Sequence, residues 1–268
     1  MSETSALIAA RWPVVPSTET DWLRQLTGED GLTGFMPPPL PDAAWVLNAM
    51  YEHEDGPSDV TYDAYERARL ADGSVAPQLF GGVDVSGPAT VPGGGLGRAR
   101  HPGLGWRRLR WAELAARTGD PLVPEGALPC HRCFPSARKA SSWPLGISPP
   151  TEGSMDRETW NRLVEILVAH SPAGPDTRCL AYYNPLLLGA TDFDTLHVRA
   201  GRLGDAQLLY DEIPGADFSP SNLWAEDRSW VACTDYDLWA TKVAGPASLV
   251  AALLADTEIE GLRLPWAV

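Results

Sequence analysis

Asp235-Tyr236-Asp237 sets two carboxylates two residues apart, the Asp-x-Asp spacing with which sugar-nucleotide enzymes hold a divalent ion. The same residues lie between two strand-like runs, where aspartate is an ordinary turn former because its side chain bonds nearby backbone. Glu52-His53-Glu54-Asp55 gathers an imidazole among three carboxylates. Glu52 and His53 could work as an acid–base pair or bind a metal, and the group also suits a solvated helix end. Cys130-His131-Arg132-Cys133 offers two thiols at the spacing of half a zinc site or of a redox dithiol. No second paired cluster exists, since His101, Cys179 and Cys233 stand singly. Loop cysteines are therefore the simpler reading, and no cofactor is expected, with structural zinc at Cys130, His131 and Cys133 as the alternative.

A basic strip, Arg98, Arg100, Arg107, Arg108 and Arg110, falls within the net-basic segment 85–139, between two acidic flanks. It can pack against those flanks or bind a small anion through guanidinium forks. Trp224, Asp227 and Arg228 open the C-terminal strand region, and the Asp-Arg pair suits a backbone anchor or an ion pair. The net charge of −14 disfavours nucleic acid as a partner and favours a basic protein. The glycines at 93–95 and 97 lack the Lys-Ser/Thr ending of a phosphate loop, and neither a Gly-x-Ser-x-Gly elbow nor a His-Glu-x-x-His is present.

The N-terminus has no basic region followed by an apolar run, and the longest apolar stretch, 249–255, is too short to span a bilayer. Four cysteines in 268 residues make no disulfide scaffold, so the expected compartment is the cytoplasm, with no membrane partner. Eleven tryptophans and 44% hydrophobic residues supply a core, while 25 glycines and 25 prolines predict many loops.

These candidates need elements to hold them. Trp160, Leu163, Val164, Leu167 and Val168 recur at helical spacing behind Asp156, which predicts a capped helix over 157–170. Further helices are expected over 42–54, 62–71, 112–118 and 249–255, the last opened by Pro246. Strands are expected over 106–111, 178–183, 196–199, 207–212, 229–234, 238–243 and 259–264. Alternation in 229–234 puts Trp230, Ala232 and Thr234 on one face and Val231 and Cys233 on the other. Both faces are apolar, so this strand should lie inside its sheet. The pattern predicts an α+β fold, loop-rich, its sheet antiparallel or mixed, with helices mainly on one face. One domain over 1–268 is expected, with a soft boundary near 85–105; the alternative is a helical part, 1–105, followed by an α+β part, 106–268.

The run Trp224-x-x-Asp227-Arg228-x-Trp230 followed by Thr234-Asp235-x-Asp237 resembles the C-terminal block of a group of acidic bacterial proteins with no established activity. The resemblance implies a recurring structural unit and carries no residue roles. The expected function is an immunity- or antitoxin-like module that binds a basic protein. The alternatives are an enzyme using Glu52, His53, Asp235 or Asp237, and a sensor of small anions or nucleotides using the arginine strip.

Overall fold

The computed structural model describes residues 3–73, 79–80, 83–84, 101–123, 128–140, 142–188, 196–211 and 218–264. In chain order the strands are β1 (Val14–Val15), β2 (Asp42–Leu47), β3 (Met50–His53), β4 (Leu79–Phe80), β5 (Val83–Asp84), β6 (Trp106–Leu109) and β7 (Ile147–Ser148). They continue with β8 (Arg178–Tyr183), β9 (His197–Arg202), β10 (Asn222–Ala225), β11 (Val231–Thr234), β12 (Ala240–Gly245) and β13 (Glu260–Arg263). The helices are α1 (Glu3–Arg11), α2 (Asp21–Thr27), α3 (Tyr62–Ala71), α4 (Trp111–Thr118), α5 (Arg157–His170), α6 (Pro185–Leu188) and α7 (Ala247–Ala255). Contacts divide the chain into two compact units, Met1–Asn48 with Thr151–Val268 and Ala49–Gly95 with His101–Pro150.

The first unit is built on an antiparallel sheet of order β1-β9-β8-β10-β11-β12-β2-β13. Side chains alternate across it, as pleating requires. One face carries Ala181, Leu223, Trp230, Ala232, Val243 and Val46, and α1, α5, α7 and the 3-10 segment Leu203–Asp211 pack against it. On α5, Asp156 accepts the Thr159 N–H at 2.7 Å, and Trp160, Leu163, Val164 and Leu167 are buried, as their spacing predicts. The opposite face carries Leu180, Tyr182, Val198, Trp224 and Val231, covered by Leu23 of α2 and by Phe35. The fold is thus α+β, loop-rich, with an antiparallel main sheet. Trp230 lies just before a central strand and is 1% exposed.

Two expectations are corrected. No helix runs over 42–54: the chain there forms β2 and β3. All six residues of β2 are buried, flanked by β12 and β13, so its apolar run has no exposed face to reveal a period. The expected strand 207–212 is instead part of the 3-10 segment Leu203–Asp211, with Glu212 outside the described residues. There Ala206, Leu209 and Tyr210 face inward at helical spacing. Trp160 Nε1 donates to Ala206 O at 3.3 Å, and Tyr210 Oη to Met155 O at 2.9 Å.

The second unit holds the sheet β6-β3-β7 with α3 and α4. Thr61 caps α3 by accepting the Ala64 N–H. Phe134 centres the core, its ring 5.2 Å from Trp111 and 6.5 Å from Trp143.

Candidate functional site

In the first unit, one segment is fastened across the second face of the sheet. Residues 28–36, following α2, cross it without regular structure. Tyr182 Oη donates to Gly31 O at 2.6 Å, and Asn222 grips Phe35 twice, accepting its N–H at 2.9 Å and donating to its carbonyl at 2.8 Å. Thr33 O accepts N–H bonds from Tyr236 at 2.9 Å and from Asn184 Nδ2 at 3.2 Å. Gly34 sits at φ 134°, and a Cβ there would lie 3.2 Å from Cys233 Sγ, so glycine lets the segment close onto the sheet.

The residues under and beside this segment form a titratable group. Lys242 on β12 stands in register with Cys233 on one side and Trp45 of β2 on the other. The Glu29 carboxylate folds back to accept the Met36 N–H at 2.6 Å. Asp235 and Asp237 lie in the β11–β12 turn, where Asp235 Oδ1 accepts the Asp237 N–H at 3.0 Å. Glu152 accepts Trp239 Nε1 at 3.2 Å. Loss of water holds the carboxyls of Glu29, Asp235 and Glu152 above the usual carboxylate range. Like charge adds to this: Asp235 acts on Glu29, and Asp237 acts on both Asp235 and Glu152. Burial lowers Lys242 in the opposite direction, against the charge of Glu29. It also pushes the Cys233 thiol well above its ordinary value, leaving that cysteine a packed apolar group.

In the second unit, Glu52 and His53 alternate on β3, so they point to opposite faces and do not form a pair. Glu52 is 4% exposed and faces Arg107 across the β3–β6 ladder. It binds the guanidinium groups of both Arg117 and Arg107, and both also bind Glu113. The Arg117 hydrogen bond, together with the charge of Arg107, holds Glu52 below its usual range. Glu113 is pulled down to about 2 by its bond to Arg107 and then by Arg117. That is an ion-pair network joining β3, β6 and α4. His53 is half-exposed and packs edge-on to Trp106 at 5.4 Å.

The remaining expected residues disperse. Arg98 and Arg100 lie outside the described residues. Arg107 is committed to Glu52 and Glu113; Arg108 alternates to the other face of β6, and Arg110 sits at the start of α4. Trp224 is buried in the core. Asp227 and Arg228 form the β10–β11 turn: the Arg228 N–H donates to Ala225 O at 2.8 Å, and Asp227 Oδ1 accepts the Ser229 N–H at 3.0 Å. Arg228 adopts φ 62° there and lays its guanidinium 5.1 Å from the Trp22 ring centre. Cys130 and Cys133 are free thiols joined by a backbone turn. Burial raises Cys133, which makes it a poor thiolate ligand. Among the described residues no group of three or more His, Cys, Asp or Glu side chains is arranged to hold a metal ion.

Lys242, Glu29 and Glu152 were not among the sequence candidates. A signal for Lys242 was present, because it is one of only two lysines and interrupts the apolar run of 238–244. Glu29 and Glu152 carried none, since only the fold brings them to the turn. Comparison with family models, with curated proteins and with solved structures finds no match to the chain.

Proposed function

We propose that this protein is a binding module for a basic protein, of the immunity or antitoxin type, acting in the cytoplasm and docking through the acidic turn between β11 and β12. The observation that carries this reading is the chain of mutually repelling carboxylates Glu29–Asp235–Asp237–Glu152, three of them held above their ordinary range. Like charges kept together, and partly stripped of water, favour an arriving cation. An arginine or lysine from a partner would relieve the repulsion and fix orientation. Tyr236, between the two aspartates, adds the aromatic group that interfaces use most. The net charge of −14 steers a basic partner toward the molecule over longer range. Four free cysteines fit a reducing compartment, and no helix among the described residues is long and apolar enough to cross a membrane.

The test is affinity capture from a lysate of the source cells, eluted with rising salt. A basic protein should be retained at low ionic strength and released as salt screens the contact. Recovery of no basic protein beyond that held by an unrelated acidic control would overturn the proposal.

A further inference from the structure

We infer that Cys130 and Cys133 are a redox-active pair, which a low-molecular-weight disulfide oxidises reversibly to a Cys130–Cys133 disulfide. The pair lies in the second unit, so its chemistry is independent of docking at the β11–β12 turn. Two thiols three residues apart can join only if the chain between them turns back. It does so here: the Cys133 N–H donates to Cys130 O at 2.9 Å, the closing bond of a four-residue turn. Such a turn brings its end Cα atoms within about 7 Å, the limit for bridging two cysteines without moving the backbone. The Cys133 sulfur is also directed at its partner. It accepts the Cys130 N–H, and its thiol reaches Leu128 O at 3.9 Å, so it rests against the backbone that carries Cys130. Cys179 and Cys233 have no such arrangement, since β10 runs between their strands.

The far side of the turn is held firmly. Phe134 adopts φ 56°, a conformation that an aromatic residue keeps only where its surroundings impose it. Its buried ring packs against Trp111 and Trp143. Ser136 fixes the next turn, donating its N–H and Oγ to the Asp120 carboxylate at 3.0 and 2.7 Å. Cys133 is thus anchored and 0% exposed, whereas Cys130 is partly exposed. That difference assigns the roles: Cys130 meets the incoming disulfide, and Cys133 resolves it. Burial raises the Cys133 thiol, which keeps it from competing for the first attack. Arg138 is half-buried, and its Nε has no hydrogen-bond partner among the described residues. A thiolate on either cysteine would attract that guanidinium.

The exchange balances. Cys130, as thiolate, attacks one sulfur of the small disulfide; that S–S bond breaks, and one half leaves as a thiolate that takes up a proton. Cys133 then gives up its proton and attacks the Cys130 sulfur, expelling the second half, which is protonated in turn. The two cysteines lose two electrons and two protons, and the small disulfide gains them as two thiols. The loop so closed holds only two intervening residues. It takes little freedom from the unfolded chain, so the bond is weakly stabilised and the same class of thiol can reduce it.

The test uses the wild-type protein. Reduced protein is equilibrated without oxygen in graded mixtures of reduced and oxidised glutathione, then quenched in acid, and peptide masses report each cysteine. A Cys130–Cys133 bridge should accumulate as the oxidised share rises and disappear on return to reduced glutathione, while Cys179 and Cys233 stay free. In urea, where the turn is lost, the same mixtures should bridge the pair several-fold less. Limiting iodoacetamide should alkylate Cys130 of the folded protein several-fold faster than Cys133. Free thiols or glutathione adducts in place of the bridge, an equal or greater yield in urea, or alkylation of Cys133 as fast as Cys130 would each overturn the assignment.

Discussion

At the scale of single residues, burial does opposite things to groups that look alike in sequence. Trp230 and Trp224 belong to the same motif, yet their rings enter opposite faces of the sheet, with Trp230 Nε1 donating to Ser171 Oγ at 2.9 Å. Trp230→Ala should therefore lower stability by about 3–5 kcal/mol, the range for truncating a large core aromatic, measured by denaturant unfolding. A near-unchanged midpoint would instead make Trp230 an interface residue. Glu152 and Glu52 differ in sign. Glu152 has a raised proton affinity, so its contribution is present at low pH and lost as pH rises through its folded value. Glu152→Gln keeps an acceptor for Trp239 Nε1 and removes the charge. It should raise the melting temperature at pH 7, with the gain disappearing on acidification. No change at pH 7 would show that the carboxylate is fully solvated.

At the scale of elements, the network on β3, β6 and α4 ties three segments by charge, and its pH dependence follows. Glu52 and Glu113 are held below their unfolded values, so their contribution is present above about pH 4.3 and lost as pH falls toward about 2, the value for Glu113. Glu52→Gln should lower the melting temperature of the second unit at pH 7, leaving Arg107 and Arg117 short of an anion, and match wild type in strong acid. A pH-independent difference would rule out the charge network as its cause.

How much could be read in advance also divides by element. The helix over 157–170 was legible because it has an exposed face, a cap and a clear period. Strand β2 was not, because water touches neither side of it. Arg117 and Glu52 meet across 65 positions of sequence, and Glu29 reaches the β11–β12 turn only through a segment held by side chains from β8 and β10. Spacing along the chain carries no trace of such contacts. The turn itself was legible, since aspartates bounding an apolar strand pair announce it.

At the scale of the whole molecule, the charge of −14 is a property of the sequence, whereas its concentration at the β11–β12 turn is a property of the fold. That distinction gives the most direct test. Affinity for the captured basic protein should be compared between two charge-matched triple variants of the first unit. Glu29→Gln/Asp235→Asn/Asp237→Asn neutralises the turn; Glu19→Gln/Asp21→Asn/Glu158→Gln neutralises three other exposed acids. The turn variant should bind at least ~10-fold more weakly, about 1.4 kcal/mol, and the second variant should bind nearly as wild type. Equal weakening by both would mean that net charge alone attracts the partner, and would contradict docking at the turn.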